Sequence, residues 1–315
     1  MRNFILVVFC WAGLVTQSWA ELPPGQVPLA ELYVHTSAEY RALCHQAYNT
    51  AGFRFRQWAP LLEKRDDGRA YLPGSSKPVA IILDMDETVI SNSGFQAYMA
   101  TSGSEYSSHL WDAWVDFQAI NHAAGAAVPG AVEFLSAVEE MGVTPIFISN
   151  RQVGQEESTI KTMERLGINV ENIEERLFLK PSHQALEEQN RARISKEGLK
   201  PDSVSARQLL EGEGEKEARR RMMQDEYDVV AYFGDIYGDF EPFLEMAESS
   251  KKLYEQRREA SEEHRLNWGS VWFILPNPMY GSWSVEKAIP KNGIGEALND
   301  YGFSIYIRSR RALKK

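Results

Sequence analysis

The feature that most constrains this chain is a series of short, unbroken apolar runs, most of which break off into polar residues. Val79-Ala80-Ile81-Ile82-Leu83 runs into Asp84-Met85-Asp86-Glu87-Thr88, and Thr144-Pro145-Ile146-Phe147-Ile148 runs into Ser149-Asn150-Arg151. Arg176-Leu177-Phe178-Leu179 runs into Lys180, and Asp228-Val229-Val230-Ala231-Tyr232-Phe233 into Gly234-Asp235-Ile236-Tyr237-Gly238-Asp239. Val271-Trp272-Phe273-Ile274-Leu275 is a further run of the same kind. A strand buried on both faces has no solvent side, so its sequence is continuously apolar instead of alternating. Between the runs lie helix-like stretches, Val132 to Met141, Gln155 to Leu166, Ser205 to Asp225 and Phe240 to Tyr254. Strand alternating with helix predicts a parallel sheet with right-handed crossovers, a Rossmann-like α/β core flanked by helices. Such a sheet presents the carboxyl ends of its strands to one side, where ligands bind. One polar strand end means little; four of them converge on a single crevice.

The first residues belong to a different problem. Arg2, the apolar stretch Ile5 to Val15 and the small-x-small triplet Ser18-Trp19-Ala20 read as a signal peptide over residues 1–20, cleaved near Ala20. The apolar stretch is too short to span a bilayer. Cys10 raises the alternative of a lipoprotein, but bulky Phe9 before it and its early place in the apolar run disfavour lipid attachment. The expectation is a periplasmic or secreted protein with no stable membrane anchor.

Charge narrows the partners. The chain carries 34 basic and 44 acidic residues, a formal net charge of −10, and its leader contributes only Arg2. An acidic protein of this kind is not built around a nucleic-acid polymer or an anionic membrane, so a site for an anion has to be locally positive. Of the 2 cysteines only Cys44 lies outside the leader, which excludes an intrachain disulfide and a cysteine metal site. The 6 histidines show no ligand-like pairing. The interval Asn190 to Gln224 is dense in both signs, Arg191, Arg193, Lys196, Glu211, Glu213, Lys216, Glu217, Arg219 and Arg220 among them, and reads as a solvated excursion.

Asp84-Met85-Asp86-Glu87-Thr88 alone would suit a turn with a helix cap. After an apolar strand, with Ser149, Lys180, and Asp235 and Asp239 at three later strand ends, it resembles the first signature of the haloacid-dehalogenase superfamily. More narrowly the chain resembles the class C acid phosphatases, the lipoprotein e family of bacterial surface and periplasmic enzymes. The supporting stretches are Ser37 to Tyr40, Asp84 to Asn92, Trp111 to Trp114, Val128 to Phe134, Gly234 to Phe240 and Leu275-Pro276-Asn277-Pro278-Met279-Tyr280-Gly281-Ser282-Trp283. The resemblance runs from about Ser37 to Trp283 and preserves the motif order. It implies a haloacid-dehalogenase-like core at 77–283 with a small, mostly helical second region. That region would be built from residues 21–76 and an insertion at about 95–128, and 284–315 would be a C-terminal extension.

The resemblance also implies roles. Asp84 would be the nucleophile, splitting phosphate-ester hydrolysis into two displacements through an acyl phosphate. Asp86 would be general acid and then general base, which favours mildly acidic conditions. A Mg²⁺ held by the Asp84 carboxylate, the Asp86 backbone carbonyl and the Asp235 carboxylate would offset carboxylate–phosphate repulsion. Ser149, Asn150 and Lys180 would hold the phosphoryl oxygens. Asp239 would orient Lys180 or complete the outer shell of the metal, and Thr88 and Asn92 would fix the loop around Asp86. Trp111 and Tyr280 would sandwich a planar leaving group, with core packing as their competing role. The expected partners are small phosphomonoesters, 5′-nucleotides among them; a homo-oligomer is left open. The rival from another class is a storage or ligand-binding relative lacking the nucleophile, and an aspartate at position 84 argues against it.

Overall fold

The computed structural model describes residues 28–122, 124–180, 215–241 and 250–281. Helices α1 (Pro28–Thr36) and α2 (Ala38–Trp58) lead to a short antiparallel pair, β1 (Glu63–Lys64) and β2 (Ala70–Tyr71), and then to β3 (Val79–Leu83). Next come β4 (Ile90–Ser91), α3 (Ser93–Ser102), α4 (Ser108–Ile120) and β5 (Ala126–Ala127), with β4 and β5 paired antiparallel. Then follow α5 (Ala131–Glu140), β6 (Thr144–Gln152), α6 (Glu156–Arg165) and β7 (Leu177–Lys180). Helix α7 (Glu215–Glu226), β8 (Asp228–Gly234), α8 (Ser250–Glu263) and β9 (Trp272–Ile274) complete the described chain.

Five strands form one parallel sheet in the order β7-β6-β3-β8-β9. The Rossmann-like α/β fold expected from the apolar runs is therefore the observed one. All five residues of β3 are buried, which explains their unbroken apolar run. Burying them is worth on the order of 10 kcal/mol before chain entropy is subtracted. From β3 the chain builds outward to β6 and β7, then returns to add β8 and β9 on the other side. That reversal opens a crevice at the carboxyl end of β3.

The covering helices follow from their apolar spacing. In α5, Ala131, Phe134, Leu135 and Val138 are buried, one face of a helix. Helix α2 is capped by Ser37, whose side chain accepts from the Tyr40 amide at 3.0 Å, and it buries Tyr40, Cys44, Tyr48, Ala51 and Phe55. It packs on α5 and β9, so this part of the N-terminal segment lies against the main sheet, whereas α1 packs on α3. Tyr48 stacks on Phe233 of β8 with ring centroids 5.9 Å apart, and its hydroxyl donates to the Thr88 carbonyl at 2.5 Å. One core side chain thus ties the sheet to the loop after β3.

The leader, residues 190–214 of the charged interval, residues 242–249 of the helix anticipated from Phe240, and the extension 284–315 lie outside the described residues. Among the described residues no helix is long and apolar enough to cross a membrane.

Candidate active site

Asp84 is the first residue beyond β3. Its amide donates to Phe233 O at 2.9 Å, so the backbone still follows the sheet as the side chain enters the crevice. Lys216 Nζ donates to Asp84 Oδ1 at 2.6 Å and to Asp239 Oδ1 at 2.5 Å. Asp84, Asp235 and Asp239 bring carboxylate oxygens within 4.8 Å of one another. Burial pushes the Asp84 carboxyl up to about 7; Lys216 pulls against it, while Asp239 and Asp86 push it further. Burial, then the Asp239 and Asp84 charges, hold Asp235 well above the usual carboxylate range. Burial also works against the Lys216 ammonium, but Asp239 and Asp84 outweigh it and its pKa ends above the ordinary lysine value. Three crowded carboxylates facing one ammonium form an all-oxygen donor set that suits a hard divalent cation.

Asp239 is aimed by the turn that carries it. Its Oδ2 accepts from the Asp235 and Ile236 amides, both at 3.1 Å. The turn passes so close to Gly234 that a Cβ there would lie 2.2 Å from the Asp239 Cβ, so only glycine fits. Asn277, beyond β9, donates through Nδ2 to Asp235 Oδ2 at 2.7 Å.

Two residues after Asp84, Asp86 is gripped from several sides. Arg151 donates to Asp86 Oδ1 through Nη2 at 2.8 Å and through Nε at 3.0 Å, and Asn92 Nδ2 adds a third donor at 2.8 Å. Ser149 Oγ lies 3.5 Å from Asp86 Oδ2, at the limit of a hydrogen bond. The Arg151 side chain is fully buried, so its charge has to be compensated in place. Beyond Asp86 it donates to Gln118 Oε1 at 3.0 Å and Thr159 Oγ1 at 3.2 Å. Its guanidinium also sits 5.7 Å from the centroid of the Trp111 ring.

The loop between Asp86 and Asn92 is held against its own backbone preference. Glu87 has φ of 58°, a left-handed conformation that costs a non-glycine residue about 1–3 kcal/mol. Its buried carboxylate accepts from the Asn92 amide at 2.6 Å, from Asn92 Nδ2 at 3.1 Å and from the Tyr280 hydroxyl. Burial and the Asp86 charge push Glu87 up to about 7, with the Tyr280 and Asn92 hydrogen bonds opposing. Asn92 is fixed in turn, its Oδ1 accepting from Trp114 Nε1 at 2.9 Å and Gln118 Nε2 at 3.0 Å.

The structure brings Asp84, Asp86, Asp235, Asp239, Ser149 and Asn92 to one crevice, while Thr88 is fully buried on the loop between Asp86 and Asn92, its carbonyl accepting from the Tyr48 hydroxyl. It does so differently for the lysine. Lys180 ends β7, which is separated from β3 by β6 and so stands roughly 10 Å away across the sheet. Asp239 was expected to orient Lys180 toward the phosphoryl oxygens; the ammonium that Asp239 holds, shared with Asp84, is that of Lys216 in α7. Nor is this part of the charged interval solvated, since Arg219 and Arg220 are 8% and 3% exposed. Asn150 lies on the other face of β6 from Ser149 and Arg151, because side chains alternate along a strand, and its Oδ1 accepts from Arg219 Nη2 at 3.3 Å. Trp111 stands beside the Arg151–Asp86 pair, with Phe95 edge-on at 5.3 Å, and Tyr280 reaches the site through its hydroxyl on Glu87. Sequence reasoning gave no role to Lys216, Arg151, Glu87 or Asn277. The spacing of Lys216, Arg219 and Arg220 at i, i+3 and i+4 was the available signal, a basic stripe on one helix face.

Comparison with known proteins agrees with this geometry. Residues 14–283 match the family model described as HAD superfamily, subfamily IIIB (acid phosphatase). A solved class C acid phosphatase from Bacillus anthracis is 30% identical, with a TM-score of 0.59 over 81% of this chain and 85% of that one. A structure of the Bacillus anthracis class C acid phosphatase with tungstate bound is 28% identical, with a TM-score of 0.60 over 86% of this chain and 93% of that one. With a buried aspartate paired to a lysine and a carboxylate cluster beyond the sheet's strand ends, the chain belongs to subfamily IIIB of the HAD superfamily, the acid phosphatases, and is a phosphoric monoester hydrolase.

Proposed function

We propose that this protein is an exported, Mg²⁺-dependent acid phosphatase that hydrolyses small phosphomonoesters, 5′-nucleotides among them, through an aspartyl phosphate on Asp84. The observation that carries this reading is the pairing of Asp84 with Lys216 two residues from an Asp86 held by Arg151 and Asn92.

Each side chain then has one task. An Asp84 carboxylate oxygen attacks phosphorus and the ester P–O bond breaks, while Asp86 gives its proton to the departing alkoxide. Arg151 and Asn92 fix the orientation of Asp86 for that transfer. Asp86 next takes a proton from the water that attacks the acyl phosphate, which releases Asp84 and inorganic phosphate. Lys216 and the Ser149 hydroxyl hold the phosphoryl oxygens throughout. Asp84, Asp235 and the Asp86 carbonyl, with Asp239 nearby, would hold a Mg²⁺, which would supply the positive charge that lets a carboxylate approach a phosphate dianion. Trp111 and Tyr280 contact a planar leaving group, where stacking is worth roughly 1–3 kcal/mol per ring.

A substrate panel with and without Mg²⁺ tests the reading. Chelator abolishes release of phosphate from p-nitrophenyl phosphate and nucleoside monophosphates, and Mg²⁺ restores it; full activity after exhaustive chelation contradicts it. Trp111→Ala lowers kcat/KM for nucleotides and aryl phosphates by about one to two orders of magnitude and leaves glycerol phosphate nearly unaffected. Mass spectrometry of the exported protein finds an N-terminus near Glu21 and no lipid.

A further inference from the structure

We propose that Arg219 and Arg220 are positioning residues that set the Lys216 ammonium on Asp84, so that α7 works as a rigid carrier of the catalytic lysine. The inference rests on the role given above to Lys216 and extends it.

Lys216 lies on α7, and its ammonium is shared between two carboxylates at 2.6 and 2.5 Å. A flexible four-carbon stem keeps one such geometry only if the helix that carries it has a firm anchor.

Residues three and four positions on supply it. Arg219 and Arg220 share a helix face with Lys216, and both are buried. Arg219 Nη1 donates to Ser149 O at 2.6 Å and Phe178 O at 2.6 Å, and its Nη2 reaches Asn150 Oδ1 at 3.3 Å. One guanidinium thereby grips both β6 and β7 where their carboxyl ends approach the site. Arg220 points to the other flank, donating through Nη1 to Gly238 O at 2.8 Å, beside Asp239, while its Nε and Nη2 rest on Glu217 Oε2 at 3.1 and 2.9 Å. The helix is held on one side by the strand ends that present Ser149 and on the other by the turn that presents Asp239. The ammonium falls between the two grips. A planar five-donor fork can satisfy divergent carbonyls at once, whereas a lysine in its place cannot. Misplacing a reacting group by about 1 Å costs on the order of a hundredfold in rate.

A double-mutant cycle separates positioning from general support of the fold. Lys216→Met, Arg219→Lys and the double variant are assayed with p-nitrophenyl phosphate and Mg²⁺, and their thermal midpoints are recorded. Arg219→Lys is expected to lower kcat by about 10- to 100-fold with KM nearly unchanged. In the Lys216→Met background the same change is expected to cost less than about twofold, because there is no ammonium left to misplace. Arg220→Lys is expected to behave in the same way. In Arg219→Ala, added guanidinium restores part of kcat only when Lys216 is present. Equal fractional losses in both backgrounds, or a wild-type kcat in Arg219→Lys, overturn the proposal. Should Arg219→Ala fail to fold, the lysine variants still decide. Wild-type turnover in Lys216→Met would instead overturn the role of the lysine itself, an outcome distinct from failure of the cycle.

Discussion

At Asp84, burial and two neighbouring carboxylates favour the neutral acid while the Lys216 ammonium favours the anion, and the carboxyl settles at about 7. Two predictions belong to this balance. Asp84→Asn keeps the fold and loses turnover by about 10⁴-fold or more, measured as kcat on purified protein. Lys216→Met leaves Asp84 and Asp239 crowded without their cation; in the absence of divalent metal it lowers the unfolding free energy by about 3–5 kcal/mol in denaturant titration. A third prediction concerns Glu31, whose Oε2 is buried without a hydrogen-bond partner among the described residues. Burial first, and the Glu87 charge second, raise Glu31 from 4.5 to about 8. Its proton is thus held longer in the folded chain than in the unfolded one. Below about 4.5 both states are protonated and nothing is lost; stability falls as pH climbs toward about 8, then levels off. Glu31→Gln is expected to reduce the fall in unfolding free energy across that window, leaving the part due to Asp84, Glu87 and Asp235, and an unchanged slope would contradict the assignment. The carboxylates were legible in the sequence because Asp84 and Asp86 follow β3, and Asp235 and Asp239 follow β8, within a few residues. Lys216 was not, because its pairing with Asp84 after β3 and Asp239 after β8 is set by how α7 docks, which no local pattern records.

Elements show the same division. The runs that form β3, β6, β7, β8 and β9 announce themselves because both sheet faces are covered. The pairs β1–β2 and β4–β5 are two residues per strand, too short to leave a period. Helix α7 was misread because mixed charge usually means solvent, whereas here the arginines spend their donors on strand-end carbonyls. Turns were partly legible: Gly234 was noted only as part of a strand end, yet the close approach of Asp239 requires it. Gly234→Ala is therefore predicted to displace Asp239 and to lower kcat by on the order of a hundredfold, although alanine is small and apolar. An unperturbed kcat in that variant would show that the turn relaxes without moving the carboxylate. The aromatic residues after β4 were readable as a cluster, but their separate jobs were not. Trp114 holds Asn92 through its indole nitrogen, whereas Trp111 stands over Arg151.

For the whole molecule, an acidic chain handling an anionic ester needs its positive charge gathered at one place. Lys216 and Arg151 hold Asp84 and Asp86 just beyond β3, and Arg219 and Arg220 grip carbonyls of the neighbouring strands and turn, while the formal net charge stays at −10. Catalysis should accordingly be more sensitive to loss of these few cations than to changes in surface charge or ionic strength, since buried pairs are weakly screened. In the proposed mechanism, phosphate passes through a covalent bond to Asp84. Rapid acid quench during turnover of p-nitrophenyl phosphate with Mg²⁺, followed by peptide mass spectrometry, traps and locates that bond. One added phosphoryl group is expected on the peptide spanning Asp84, absent in Asp84→Asn and in chelator-treated enzyme. An active enzyme that shows no phosphoryl group there, or an Asp84→Asn variant that turns over normally, would contradict that mechanism.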